Sequence, residues 1–129
     1  ITTILKKAQE HNNFLRIDME NSPFTDQTIE IYHHCKTIYN NVGMVIQSYL
    51  HRSIDDILLL ADDQFNSRIC KGIYKESEYI AYQDREEIQG NFLKLAKNCF
   101  VEKNWPPPLS VLPINVFNSK QFSGFLKET

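Results

Sequence analysis

Four short apolar runs, rich in β-branched or aromatic residues, recur along the chain at Phe14 to Met19, Gly43 to Leu50, Arg68 to Tyr74 and Leu109 to Phe117. They lack clean polar alternation and are bounded by Asn, Asp, Gly, Ser or Pro, which predicts strands buried on both faces. Between the runs the apolar period lengthens to that of a helix. Over residues 26 to 40, Ile29, Tyr32, Cys35 and Tyr39 fall on one face. In the next segment Ser53 is a natural N-cap and Asp55 and Asp56 suit the positive end of the helix dipole. Ile54, Ile57, Leu58 and Ala61 supply its inward stripe. A third helix, from about Arg85 to Phe100, turns Ile88, Phe92, Leu95 and Cys99 to one side. Residues 1 to 10 read as the end of an earlier helix, with Ile4 and Ala8 inward and Lys6 and Lys7 outward.

A helix followed by repeated strand and helix predicts α/β architecture, a parallel sheet joined by right-handed crossovers. A closed (β/α)8 barrel takes about 250 residues, whereas this chain has 129. Three or four units are half of such a barrel, so the expected fold is a partial (β/α)8 barrel of TIM type. An open four-stranded sheet is the alternative that the length permits.

Composition narrows the picture. Apolar residues make up 42% and charged residues 23%, with four Gly and five Pro, which excludes disordered, collagenous and low-complexity classes. No stretch approaches the roughly 18 apolar residues of a membrane-spanning helix. The formal charge of −2, spread without blocks of one sign, does not favour a nucleic-acid partner. Cys35, Cys70 and Cys99 are an odd, widely spaced set that suits reduced thiols in the cytoplasm, and no secretory signal opens the chain. The chain begins at Ile1 without a Met, so processing or a cut is expected to have removed its true beginning.

In parallel α/β folds functional side chains collect at the carboxyl ends of strands. Here those ends carry Asp18, Glu20 and Asn21, then Gln47, Tyr49, His51 and Arg52, then Arg68, Lys71 and Tyr74. Holding Gln, Arg or Lys in a buried strand is costly unless the group is paired or binds something. Asp18, Gln47 and Arg68 either satisfy one another or meet a ligand, and spacing alone leaves both readings open.

Three stretches carry a resemblance. Phe14-Leu15-Arg16-Ile17-Asp18-Met19-Glu20-Asn21, Asn41 to Arg52 and Arg68-Ile69-Cys70-Lys71-Gly72-Ile73-Tyr74-Lys75-Glu76 resemble, in order and spacing, consecutive strands of bacterial proline dehydrogenase, a flavin-dependent barrel enzyme. The third, close to R-L-V-K-G-A-Y-x-E, is the most specific, and the likeness covers about residues 1 to 100. It implies oxidation of L-proline to pyrroline-5-carboxylate with FAD as cofactor, in the cytoplasm or peripherally at the inner membrane, with electrons passed to a membrane quinone. By the same resemblance Arg68 matches the arginine near flavin N5, Gln47 the glutamine bonded to the isoalloxazine ring, and Asp18 an acid that orients neighbouring cations. Tyr74 matches a tyrosine lining the substrate pocket and Lys71 the lysine beside it. The catalytic set so implied is Arg68, Asp18 and Tyr74, and the cofactor set Arg68, Gln47 and Lys71, with no metal.

The likeness stops short at both ends. The family's first strand, with a substrate-binding lysine, is expected before Ile1, and the helix with paired arginines that clamp the proline carboxylate after Thr129. No Arg follows Arg85, so the chain alone is expected to bind proline poorly. One incomplete domain is predicted over 1–129, with family-like units to residue 100 and a divergent tail from 101. In that tail Trp105-Pro106-Pro107-Pro108 reads as a stiff turn, and Pro113 would remove a ladder donor from a central strand. The tail is either a divergent fourth unit or sequence altered by a reading-frame error. An open half barrel is expected to associate with itself or with a missing half. The rival from another class is a non-catalytic α/β remnant acting as an interaction domain. A carbon-carbon lyase would need Lys71 to face the barrel interior as a Schiff-base amine.

Other constellations read more plainly. His33, His34 and Cys35 are adjacent, and neighbours on a helix point about 100° apart, so they suit a solvated surface better than one shared ion. Cys70 reads as a small core residue. Tyr79, Tyr82, Phe92 and Phe100 read as packing, and Asp55, Asp56, Asp62 and Asp63 as a solvated helix rim. No glycine-rich phosphate loop is present, since Lys71-Gly72 alone is too short a motif.

Overall fold

A computed structural model describes residues 1–60 and 65–100. In chain order they form α1 (Thr2–Glu10), β1 (Leu15–Ile17), a 3-10 turn (Ser22–Phe24), α2 (Thr25–Ile38), β2 (Val42–Gln47), α3 (Ser53–Leu60), β3 (Ser67–Cys70) and α4 (Arg85–Phe100). The three strands make one parallel sheet in the order β1-β2-β3. The expected alternation is therefore present. The fourth run at Leu109–Phe117, the Trp105–Pro108 turn, Pro113, Ala61, Asp62 and Asp63 lie outside the described residues.

Each strand is shorter than the apolar run that predicts it, for a local reason. After β1, the Asp18 carboxylate accepts the Met19 backbone N–H at 3.1 Å, a local bond instead of a ladder bond. β2 gives way to a turn before Leu50, which bridges antiparallel to Ala81. Just beyond β3, Gly72 takes φ +97°, a conformation that suits glycine and bends the chain out of the sheet.

Register divides the chemistry between the two faces. Leu15 pairs with Val42, Ile17 with Met44, Met44 with Ser67 and Ile46 with Ile69. These mostly apolar positions join Leu5, Tyr32, Cys35, Ile57, Phe92 and Leu95 of the helices in one buried cluster. On the other side of the pleat Arg16 pairs with Gly43, Val45 with Arg68 and Gln47 with Cys70. One face of the sheet thus packs on helices, and the other gathers the polar side chains.

The helices hold further corrections. In α1 it is Leu5 that is fully buried, whereas Ile4 is 58% exposed. Both positions lie at helical spacing from Ala8, so periodicity alone could not choose between them. Two residues past the end of α1, Asn12 takes a φ of 51°, which its short polar side chain tolerates. Ser53 does not cap α3 as expected: its hydroxyl donates to the Leu50 carbonyl at 2.8 Å and accepts from Asn91 Nδ2 at 3.0 Å. Leu58 is exposed and Leu60 takes its place in the core. Tyr79, expected to pack, is 87% exposed. His33 and His34 are exposed and Cys35 buried, as divergent neighbours on a helix must be.

Asp56 departs furthest from expectation. It is buried where a solvated rim was predicted, because Arg52 Nε and Nη2 close a fork on its carboxylate at 2.9 Å. The same guanidinium reaches Asp26 at 2.6 Å and so ties α3 to α2. Arg52 holds the Asp26 carboxyl below its usual range, so this tie contributes above the ordinary carboxylate pKa and is lost as pH falls through the lowered one. α4 is capped by Asp84, whose carboxylate accepts the N–H groups of Glu86 and Glu87 at 2.8 and 3.2 Å. Asn91 then donates to the Ser48 carbonyl at 2.7 Å, fixing α4 against the end of β2.

Candidate functional site

The polar face opens at the carboxyl ends of the strands, and the side chains there are held from several directions. Arg68 projects from β3 and donates through Nη2 to Asp18 Oδ1 at 2.9 Å, joining the two outer strands across β2. Asp18 is 72% exposed while Arg68 is 26% exposed. The carboxylate therefore reaches into solvent above a guanidinium that stays largely covered, an arrangement that orients the cation.

Gln47, on β2 between them, is 4% exposed. Its Nε2 donates to the Met19 carbonyl at 3.2 Å, while its Oε1 has no partner among the described residues. Arg68 Nε is likewise buried without a partner among them. Gln47 and Arg68 thus do not satisfy one another: only the Asp18–Arg68 part of that trio is paired. Cys70 stands opposite Gln47 and is half-buried, and burial pushes its thiol up, so the group stays neutral.

A second cation was missed from sequence. Arg16 lies in the same pleat phase as Asp18, its Nη1 donates to the Met44 carbonyl at 3.2 Å, and its guanidinium sits 4.6 Å from the centroid of the Phe14 ring. Burial lowers its pKa, with the nearby Arg68 charge adding to the effect and Asp18 opposing it. The period-2 spacing of Arg16 and Asp18 was the available signal.

Past β3 the chain turns through Lys71-Gly72-Ile73-Tyr74 and encloses a cleft of about 680 Å³ with Tyr49, Tyr82 and Ile88. Lys71 is exposed and lines this cleft. Tyr74 turns back and donates its hydroxyl to the Glu20 carboxylate, while Glu76 Oε1 accepts the Ser22 N–H at 2.8 Å. Both bonds tie the segment after β3 to the segment after β1. Glu20 and Glu76 are absent from the predicted site; the first holds the Tyr74 hydroxyl and the second ties the same segment to Ser22.

Tyr49 closes the floor. Its backbone N–H donates to the Lys71 carbonyl at 2.9 Å and its carbonyl accepts from Tyr82 at 2.8 Å. Burial, with help from the charge of Glu76, pushes its phenol up to about 12, and the bond to Glu20 raises that of Tyr74. A raised pKa stabilises the fold fully below the unfolded value of about 10, and that contribution is lost as pH rises toward 12. Spectrophotometric titration of the six tyrosines is expected to leave Tyr49 still protonated when the exposed phenols have ionised, assigned by its absence in Tyr49→Phe. A single titration near the ordinary tyrosine value would contradict this arrangement.

Comparison with known proteins identifies the frame. The family model described as Proline dehydrogenase matches residues 1–98. The chain is 35% identical over 105 residues to Proline dehydrogenase 1 of Bacillus subtilis (strain 168), a match covering 81% of this chain and 35% of that protein. It is 36% identical over 94 residues to Proline dehydrogenase of Deinococcus radiodurans, covering 71% of this chain and 30% of that one. The chain spans about a third of the length of the curated relatives it matches. Among solved structures, that of proline utilization A (PutA) from Bdellovibrio bacteriovorus, inactivated by N-propargylglycine, aligns with a TM-score of 0.71 at 22% identity, over 80% of this chain and 13% of that one. The architecture is accordingly a partial barrel-like α/β fold, with parallel strands alternating with helices.

Proposed function

This chain belongs to the proline dehydrogenase family, and from that premise we propose that it forms the flavin-facing strands of an enzyme that oxidises L-proline to pyrroline-5-carboxylate. The observation that carries the reading is the pair of orphaned atoms on the polar face, Gln47 Oε1 and Arg68 Nε. Buried polar atoms are normally satisfied, and an acceptor and a charged donor on the same face of neighbouring strands suit the mixed nitrogen and oxygen edge of a flavin ring. The residues present therefore fit FAD, held by Arg68, Gln47 and Lys71.

When bound, FAD would supply the hydride acceptor for the proline carbon next to nitrogen. Arg68 provides a fixed positive charge where negative charge arrives, and fixed charges of this kind need no reorganisation during reaction. Asp18 keeps that guanidinium in one orientation and abstracts no proton. Gln47 is anchored by its bond to Met19, which leaves its carbonyl oxygen free to accept. Tyr74, held by Glu20, lines the substrate side of the turn. On this reading a membrane quinone would reoxidise the reduced cofactor through peripheral contact. Among the described residues no helix is long and apolar enough to cross a membrane.

Anaerobic addition of L-proline to the flavin-loaded protein that contains these residues is expected to bleach the flavin band. Flavin that binds yet stays oxidised at high L-proline would contradict the dehydrogenase reading and leave a non-catalytic flavin-binding domain.

A further inference from the structure

Tyr49 is a buried polar group at the cleft that the flavin reading leaves unused. It is 5% exposed, and its hydroxyl has no hydrogen-bond partner among the described residues, in common with Gln47 Oε1 and Arg68 Nε. It lines the cleft beside Cys70, Lys71 and Gly72. Its position is not adjustable: two backbone bonds pin it to Lys71 and Tyr82, and its ring lies against the backbone of Gly72 so closely that a Cβ there would fall 2.2 Å from Cδ1. A buried hydroxyl without an acceptor lowers stability and calls for an explanation. Its phenol keeps its proton through the physiological range, so what it lacks is an acceptor.

We propose that Tyr49 is a further cofactor-binding residue of this site, its hydroxyl donating a hydrogen bond to an oxygen of the bound flavin dinucleotide. This rests on the flavin reading above and adds a residue to it. The oxygen belongs either to the ring and ribityl portion or to the phosphates, and the two sources are separable by ligand.

The test is the affinity of the chain for FAD and for riboflavin, by fluorescence titration, in the parent, in Tyr49→Phe and in Ser67→Ala. Phenylalanine keeps the ring against Gly72 and removes only the hydroxyl. Removing an unpartnered hydroxyl is neutral or stabilising for the free fold, so the unfolding midpoint of Tyr49→Phe is expected to equal or exceed that of the parent. Its affinity for FAD is nonetheless expected to fall by roughly three- to tenfold, the worth of one hydrogen bond. A parallel loss for riboflavin places the oxygen in the ring or ribityl portion, and a loss for FAD alone places it in the phosphates. Ser67 also buries an unpartnered hydroxyl, in the register of the helix-packed face, and Ser67→Ala is expected to bind as the parent does. Equal affinities in the parent and Tyr49→Phe would overturn the inference while leaving the flavin reading intact. A parent that binds no flavin would overturn the flavin reading and this inference with it.

Discussion

Replacing Gly72 with alanine is expected to destabilise the fold by about 3 kcal/mol, the sum of a left-handed backbone penalty and overpacking. The backbone at Gly72 has φ +97°, where any side chain is strained. The new methyl carbon would also meet three atoms of the Tyr49 ring, the nearest at 2.2 Å. That ring has nowhere to go, since Tyr49 is buried and bonded through its backbone to Lys71 and Tyr82. Relief must come from the turn, which carries Lys71 and Tyr74, so flavin affinity is expected to fall together with stability. Gly90 provides the opposite case. It lies inside α4 with nothing within 4 Å of a built Cβ, and Gly90→Ala is expected to stabilise by about 0.5 to 1 kcal/mol through helix propensity. Urea denaturation of both variants checks the pair, and an unchanged midpoint for Gly72→Ala would mean that the turn rebuilds without strain.

Arg68→Met is expected to slow proline-dependent flavin bleaching by two to three orders of magnitude, the typical cost of removing a preorganised charge from a reacting site. Stability is expected to move far less. The Arg68 partner, Asp18, is 72% exposed, and ion pairs with so much solvent contact contribute about 0 to 1 kcal/mol. Methionine keeps much of the apolar length of the side chain and fills its place beside Val45. A variant that bleaches at the parental rate would remove Arg68 from the catalytic machinery and return the Asp18–Arg68 pair to a structural role.

The alternation of strand and helix was legible because apolar runs and helical stripes are properties of neighbouring residues. Ile88, Phe92 and Leu95 were placed inward by their spacing, and all three are buried. The polar residues of the candidate site stood out too, since Asp18, Gln47 and Arg68 interrupt runs that otherwise read as buried; their roles rest on the resemblance. What remained hidden depends on partners distant in sequence. Asp56 could not be told from Asp55 until Arg52 was seen to bridge it to Asp26. Leu5 displaced Ile4 because of where α2 packs, a choice no period encodes. Spacing left open whether Gln47 pairs within the trio, and its amide in fact spans to the Met19 carbonyl, 28 positions away. Tyr49 and Gly72 are separated by more than 20 residues, so their interlock left no mark in the local pattern.

The central claim is that these residues carry the flavin face of a proline dehydrogenase, and it is tested most directly by loading the purified chain with FAD, dialysing it, and recording its visible absorption. The account predicts that a flavin band remains in about equimolar amount, and that it is diminished in Gln47→Ala and Arg68→Met. A colourless protein after dialysis, with its fold intact by circular dichroism, would contradict it.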